Sequence, residues 1–147
     1  MTTAPVVVVG FDDSPAAAAA LAWAADWARV TGGSVRALHA LAPRLVAPPN
    51  WCIGDAGRAE HHGRDLDEPS QRERITALFA ATAPAPRTTL ELTGAPAGER
   101  LVAASASADL LVIGTRGRRG AARLLEGSTS HYCLSRARCP VVAVPAG

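Results

Sequence analysis

The sequence predicts an α/β fold in which helices cover both faces of a five-stranded parallel sheet. Four consecutive valines, Val6 to Val9, and a second apolar run, Val141 to Val144, have the length and composition of strands buried on both faces. Between them, strand-like segments alternate with segments of helical periodicity, and glycines or prolines separate them. That alternation is typical of chains in which each helix leads back to the next parallel strand.

The first 42 residues predict a complete βαβ unit, which should be right-handed. A strand over residues 6–9 is followed by a helix that begins at Ser14, a good N-cap, and Pro15, which suits the first helical position. Gly32 is placed to end this helix, and residues 34–41 form the second strand. Leu21, Ala25 and Ala28 form one apolar stripe of this helix, and Trp23 and Trp27 are a separate i, i+4 pair.

The remaining elements follow the same alternation. They are a helix over 68–83, a strand over 88–92, a helix over 97–107, a strand over 109–113, a helix over 128–138 and a strand over 141–144. Residues 43–70 contain too many prolines and glycines for one long element. His61 and His62 lie there near acidic residues, but adjacent histidines point in different directions, so a polar loop is favoured over a metal site. The whole order predicts a Rossmann-like fold.

Composition limits the classes of protein that fit. With 147 residues, 48% hydrophobic and 19% charged, the chain is expected to form one domain over residues 1–147. It has no apolar run long enough to span a membrane and no basic leader at its N-terminus, so a cytoplasmic protein is expected. Three cysteines without a C-x-x-C pair favour reduced thiols over a disulfide framework.

The type of basic residue excludes several mechanisms. All fifteen basic residues are arginine, so neither a Schiff-base lysine nor the phosphate-binding lysines of P-loop proteins and kinases can be present. A net charge of +2 with only 4% aromatic residues provides no stacking platform for single-stranded nucleic acid. Nucleic-acid binding is therefore not favoured.

The segment from Asp109 to Ser130 has the strongest functional pattern. A short apolar strand runs into a loop in which Gly114, Gly117 and Gly120 allow the backbone to take positive φ and to approach a ligand closely. Ser128 is placed to cap the next helix, whose N-terminal N–H groups and dipole favour anions. Such a loop is typical of a phosphate site.

Positive charge is concentrated in the same segment. Residues 114–138 contain six arginines and one acidic residue, Glu126, a local net charge of +5, whereas the whole chain carries only +2. Four of these arginines stand within the loop: Arg116, Arg118, Arg119 and Arg123. Phosphate binding is the prediction. The alternative is a glycine-rich connection whose arginines are merely solvated.

A second loop is expected to face the same crevice. Ligands of parallel sheets bind beyond the carboxyl ends of the strands, where the strand order reverses. Residues 10–14 follow the first strand and residues 114–120 follow the fourth, so the two loops meet if these strands are neighbours. Asp12 would then accept hydrogen bonds from a ribose. Alternatively, its carboxylate serves the turn and helps to cap the first helix, and both interpretations stay open.

These motifs together resemble the universal stress protein family over nearly the whole chain. The similar segments are residues 6–15, Leu38-His39-Ala40, residues 94–97, residues 108–114, Gly114-x2-Gly117-x9-Gly127-Ser128 and residues 139–144. The resemblance implies that Asp12 and Gly10 contact the ribose of ATP, bound with Mg²⁺, and that Ala40 contacts the adenine. It assigns the phosphates to the glycine segment, namely Gly114, Thr115, Arg116, Gly117, Arg118, Arg119, Gly120, Arg123, Gly127, Ser128 and Thr129.

The resemblance also implies a homodimer in which the last strand pairs across a two-fold axis. Residues 141–144 would otherwise form an exposed, uncharged apolar edge, which an isologous dimer would cover. Two features depart from the family pattern. Glu126 stands where an apolar residue is usual and would repel phosphate unless it turned to an arginine, and residues 54–69 are interrupted by glycine and proline.

The leading functional hypothesis is a cytoplasmic regulatory protein that binds ATP and whose nucleotide state changes its interaction with a protein partner. One alternative is a slow ATPase or nucleotidyl transferase that uses the same pocket with Mg²⁺. Another is an interaction protein with an empty site. Ser128 and His131 are interpreted as a cap and its neighbour rather than as nucleophile and base. A dinucleotide-binding domain is not supported, because the first βα turn lacks G-x-G-x-x-G.

Overall fold

The computed structural model describes residues 3–41, 68–82, 86–115 and 128–146. Within these ranges it contains the five strands and four helices that the sequence predicts. The strands are β1 Val6–Gly10, β2 Ser34–Ala40, β3 Thr88–Thr93, β4 Leu110–Thr115 and β5 Val141–Pro145. The helices are α1 Pro15–Thr31, α2 Glu68–Thr82, α3 Ala97–Ser105 and α4 Ser128–Arg136.

The strands form one parallel sheet in the order β3-β2-β1-β4-β5, which confirms the predicted fold class. From β1 the chain continues to β2 and β3 on one side, and β4 and β5 lie on the other. The strand order therefore reverses between β1 and β4. Because ligands of such sheets bind at this switch point, the adjacency of β1 and β4 brings together the two strand ends that the crevice hypothesis requires.

The two central strands are buried on both faces. Val7, Val8 and Val9 in β1 and Leu111 and Val112 in β4 are completely inaccessible to solvent. Successive side chains alternate between two apolar clusters, as a pleated strand requires. Helices α1 and α2 contribute to the cluster with Val7 and Val9, whereas α3 and α4 contribute to the cluster with Val8. Helices therefore cover both faces of the sheet.

Helix α1 has the ends that its sequence predicts. The Oγ atom of Ser14 accepts a hydrogen bond from the N–H of Ala17 at 3.1 Å, and Pro15 follows as the first helical residue. The helix ends at Gly32, which adopts the left-handed conformation with φ 73°. The predicted stripe of Leu21, Ala25 and Ala28 is buried.

Strand β4 differs from its predicted range of 109–113. It begins at Leu110 and continues through Gly114 to Thr115, because Gly114 pairs with Val144 and Thr115 with Pro145 in β5. Asp109 lies just before the strand, where its carboxylate accepts a hydrogen bond from the N–H of Val6 at 2.8 Å. Gly114, predicted to open the loop, is therefore part of the strand.

Helices α3 and α4 each end two residues before the predicted boundary, at Ser105 and Arg136. Their ends meet, since the Oγ atom of Ser105 accepts a hydrogen bond from the backbone N–H of Arg138 at 2.9 Å. The N–H of Leu111 then bonds to the carbonyl of Pro140 at 3.0 Å and starts the β4–β5 ladder. Tertiary hydrogen bonds thus set these ends.

Candidate functional site

Three elements of the described chain converge at the carboxyl ends of the central strands. The loop over residues 11–14 follows β1, and β4 ends beside it. Helix α4 begins at the same edge, because Tyr132 in the second turn of α4 packs against Gly98 in the first turn of α3. A Cβ atom on Gly98 would lie 3.0 Å from the ring of Tyr132. The site is therefore bounded by a polar loop, a strand end and a helix N-terminus.

The first loop is anchored through Phe11. Its N–H donates to the carbonyl of Leu38 at 2.9 Å, and its own carbonyl lies 2.8 Å from Nδ1 of His39. A carbonyl oxygen only accepts, so the proton of this hydrogen bond is on Nδ1. The buried ring of Phe11 meets Phe79 of α2 edge to face, with 5.9 Å between ring centroids. Phe11 is thus held by β2 and by α2.

Asp12 follows this anchored residue and is exposed. Its Oδ1 atom accepts a hydrogen bond from the N–H of Ser14 at 2.8 Å, which closes a turn over the start of α1. The structure thus shows the turn role that was one of the two interpretations of Asp12. Oδ1 thus serves the turn, and within the described residues no hydrogen bond to Oδ2 is present.

Asp13 connects the same loop to α2. Its Oδ2 atom lies 2.7 Å from a guanidinium nitrogen of Arg74, and both side chains are about half exposed, 45% for Asp13 and 49% for Arg74. An ion pair this exposed contributes roughly 0.2–1 kcal/mol to stability. Arg74 thereby keeps a positive charge beside Asp13.

Gly114 has a different role from the one predicted. It does not use the positive φ that glycine permits, because among the described glycines only Gly32 has positive φ. Gly114 instead lies directly under the first turn of α1. A Cβ atom there would be 2.5 Å from both the carbonyl carbon and the oxygen of Ala16 and 2.8 Å from the nitrogen of Ala17. The residue must be glycine because the helix backbone packs against it.

Thr115 is the last residue of β4 and is buried, with 2% of its surface exposed. Its carbonyl accepts from the N–H of Ala146 at 3.3 Å, whereas its hydroxyl has no hydrogen-bond partner within the described part of the chain. A buried hydroxyl without a partner costs about 1–3 kcal/mol, so native proteins rarely leave one unsatisfied. This hydroxyl is at the strand end that borders the crevice.

Two further predicted site residues end their strands at this edge. Ala40 is half-buried and pairs with Thr93 at the end of β3. Gly10 ends β1, where a Cβ atom would lie 3.2 Å from a methyl carbon of Leu101. Both therefore lie at the carboxyl edge of the sheet, as the crevice hypothesis requires.

The glycine–arginine loop itself falls outside the described residues. This applies to Arg116, Gly117, Arg118, Arg119, Gly120, Arg123, Gly127 and the departing Glu126. Ser128 and Thr129 are the first two residues of α4. The segment with His61 and His62 also lies outside the described ranges.

In the sequence, His39 stands out only as part of a segment similar to the family, and no pattern predicts a role for Arg74. The signal for His39 was a polar ring near the end of the strand Ser34–Ala40. No pattern in the sequence relates Arg74 to Asp13, because the two are 61 residues apart. Both contacts depend on the packing of distant segments.

The described thiols are not activated. Burial raises the pKa of the Cys133 thiol to about 11, and burial followed by the charge of Asp109 raises the pKa of Cys139. Cys133 packs in the core as a small apolar residue, as predicted. In residues 3–41, 68–82, 86–115 and 128–146, no three His, Cys, Asp or Glu side chains are grouped to hold a metal ion.

The chain has a parallel α/β sheet with a polar loop and a helix N-terminus at its switch point. These features are typical of the class of α/β domains whose ligands bind at this edge. Comparison with known families narrows the class. The model of the universal stress protein family matches residues 5–145. The chain belongs to the universal stress protein family, which confirms the resemblance inferred from the motifs.

Particular relatives extend this assignment. Universal stress protein Rv2623 of Mycobacterium tuberculosis is 34% identical over 145 residues, covering 94% of this chain and 46% of the relative. The chain thus spans about half the length of the curated relatives it matches. A universal stress protein solved with cAMP has a TM-score of 0.61 and 23% identity, over 99% of this chain and 100% of that one. One from Archaeoglobus fulgidus, solved with dAMP, has a TM-score of 0.56 and 21% identity, over 98% and 99%.

The structural likenesses, both below 25% identity, show that the Rossmann-like fold is shared. The ligands named for them belong to those proteins. Membrane insertion of a described helix is not indicated, because none combines sufficient length with sufficient apolar character to cross a bilayer.

Proposed function

We propose that this chain is a cytoplasmic regulatory protein that binds ATP with Mg²⁺, and that its nucleotide state controls its interaction with a protein partner. The observation that carries the proposal is the anchored Asp12 loop at the β1–β4 switch point, opposite the start of α4. Family membership and the adenine nucleotides held by two relatives of the same fold support it.

The described residues suit a nucleoside. Oδ1 of Asp12 is occupied by the turn, so Oδ2 is available to accept a ribose hydroxyl without loss of the loop conformation. Ala40, with its small side chain at the end of β2, leaves room for a flat base. In this proposal Gly10 lies beneath the ribose, where its lack of a side chain allows close approach.

The phosphates would be bound at the other side of the crevice. The first turn of α4, with Ser128 and Thr129, offers free N–H groups and the positive end of the helix dipole. The arginines of residues 116–123 add positive charge near this point in the sequence. Mg²⁺ in nucleotide sites is held by one or two carboxylates together with the phosphates. Bound there, it would neutralise phosphate charge.

The decisive experiment is to denature freshly purified protein and identify the released nucleotide by chromatography and mass. Gly127→Glu adds a carboxylate to the glycine signature, and Val30→Glu is its charge-matched control, because Val30 is 82% exposed near the end of α1 opposite the crevice. Near-stoichiometric adenine nucleotide from the wild type and from Val30→Glu, but not from Gly127→Glu, is the expected result.

The same variants can be tested with added ligand. At 100 times its Kd, MgATP should stabilise a binding protein by about 2.7 kcal/mol, which a thermal shift detects readily. Wild-type protein that releases no nucleotide and shows no stabilisation by MgATP would contradict the proposal. In that case the interaction protein with an empty site becomes the better hypothesis.

We also propose that two copies pair through β5. This strand is an edge of the sheet, and residues 141–144 are only half-buried in the single chain. The N–H of Ala146 and the carbonyl of Pro140 bond to β4, so the alternate residue Ala143 presents its backbone groups at the open edge. Pairing with a second copy would satisfy these groups and cover the edge.

Ala143→Pro tests this pairing, because it removes an outward N–H and leaves the hydrogen bonds to β4 in place. Light scattering after size exclusion should show a dimer for the wild type and a monomer for Ala143→Pro. Ala143→Ser keeps the N–H and should stay dimeric. A monomeric wild type would refute the proposal.

A further inference from the structure

Among the described residues, the hydrogen bond between His39 and Phe11 is the polar side-chain contact that holds the backbone immediately before Asp12. The Nδ1 atom of His39 lies 2.8 Å from the carbonyl oxygen of Phe11, and the contact is partly buried. The N–H of Phe11 is bonded to Leu38 of the same strand. Both backbone polar groups of Phe11 are therefore held by β2, which restricts the orientation of the peptide group that leads into Asp12.

The contacts beyond Asp12 are less restrictive. The ion pair of Asp13 with Arg74 joins two long, half-exposed side chains, so water screens it. The hydrogen bond from the N–H of Ser14 fixes Oδ1 of Asp12 relative to α1, but not the loop relative to β2. The residue before Asp12 is tied to β2 by two hydrogen bonds, a backbone one to Leu38 and the side-chain one from His39. The His39 contact is the one that a side-chain substitution can remove.

We propose that His39 is a positioning residue for the nucleotide site: by holding the carbonyl of Phe11, it directs the carboxylate of Asp12 to the ribose of the bound nucleotide. The inference rests on the proposed function and extends it to a residue that does not itself need to touch the ligand. It follows that the Nδ1–H donor, rather than the bulk or charge of the ring, is the property that matters.

Two variants separate the donor from the ring. In His39→Asn the amide nitrogen is as many bonds from Cβ as Nδ1 is, so it can donate to Phe11. In His39→Gln the amide nitrogen corresponds to Nε2 and lies one bond too far. Loss of a hydrogen bond of this kind should weaken nucleotide binding that depends on it roughly 3- to 10-fold.

Titration calorimetry should compare MgATP with 2′,3′-dideoxy-ATP, which lacks the hydroxyls that Asp12 would bind. His39→Gln should weaken the binding of MgATP roughly 3- to 10-fold and leave the affinity for the dideoxy analogue nearly unchanged. His39→Asn should retain wild-type affinity for both nucleotides. In a protein that already carries Asp12→Asn, His39→Gln should cause little additional loss of MgATP affinity, because the two residues act through one contact. If the role of His39 were merely structural, His39→Gln would weaken the binding of both nucleotides equally. Its effect would then add to the loss of MgATP affinity caused by Asp12→Asn.

A measurement without nucleotide distinguishes this inference from the proposed function. In nucleotide-free protein, hydrogen exchange of the Ser14 amide, which is bonded to Asp12, should be faster in His39→Gln than in the wild type or His39→Asn. The amides of Val8 and Val112 report global unfolding and should not change. Unaltered Ser14 exchange in His39→Gln, or equal losses for both nucleotides, overturns the role of His39 even when the wild type binds ATP. A wild type that binds no nucleotide overturns both proposals.

Discussion

Replacement of Gly114 by alanine tests whether this glycine is required by packing or by a ligand. The new Cβ atom would lie 2.5 Å from the carbonyl carbon and oxygen of Ala16. Ordinary carbon contacts are about 3.5–4.0 Å, so the first turn of α1 would have to move by roughly 1 Å. Backbone atoms of a helix that is capped by Ser14 and packed on β4 cannot rotate away as a side chain can.

Overpacking of this kind costs about 1–3 kcal/mol, and we expect Gly114→Ala to fall near the upper end. Urea denaturation of nucleotide-free protein measures it: with a slope of about 1–3 kcal/mol/M, the midpoint should fall by roughly 1 M or more. Gly94→Ala is the matched control, because a Cβ atom there meets nothing within 4 Å. Its stability should change by less than about 0.5 kcal/mol.

Gly10→Ala should lie between these two, since its Cβ atom would meet the end of a Leu101 side chain at 3.2 Å, which can shift. The reasoning is refuted if Gly114→Ala unfolds at the wild-type urea concentration in the absence of nucleotide. If that variant lost only affinity for MgATP, Gly114 would be needed for the ligand, as first predicted, and not for α1.

Three further outcomes are expected. Ser14→Ala removes the N-cap of α1 and should lower the free energy of unfolding by about 1 kcal/mol in urea denaturation, whereas Ser14→Asp should not. Hydrogen bonds from Arg36 and then Arg100 hold the pKa of Glu91 below its ordinary value, so its stabilisation is present above the unfolded pKa and is lost as pH falls through the folded one. Glu91→Gln should therefore be less stable than the wild type at pH 7, with the difference shrinking on acidification; a constant difference would contradict this. Burial leaves the Cys133 thiol inaccessible and raises its pKa, so at pH 8 it should react much more slowly with iodoacetamide in the native than in the urea-unfolded state, measured by peptide mass.

Much of the fold was predictable because its signals are local. The β-branched runs at Val6 and Val141 identify strands, and Ser14, Pro15 and Gly32 mark the ends of α1 through their own backbone preferences. The fold class follows from their alternation. The edge position of β5 and the adjacency of β1 and β4 were expected only on the assumption of a strand order that the structure then confirmed.

The candidate site was predictable in its location and less so in its contacts. Asp12 occupies the predicted crevice edge, but its hydrogen bond to Ser14 could not be chosen over a ribose from the sequence. The glycine signature suggested a flexible loop from Gly114 onward, although the strand continues through Thr115. A glycine next to a ligand and a glycine beneath a helix look identical in a sequence, since both only lack a Cβ atom.

The sequence by itself determined the elements, their order and the family, because propensity, capping and spacing act within a few residues. Only the tertiary structure decided what Gly114, His39 and Arg74 do. Gly114 must accommodate Ala16, which is 98 residues away, and His39 must meet a carbonyl in another strand. Such contacts arise only when the sheet assembles and the helices pack on it, because the segments that meet are far apart in the sequence and no local pattern encodes their contact.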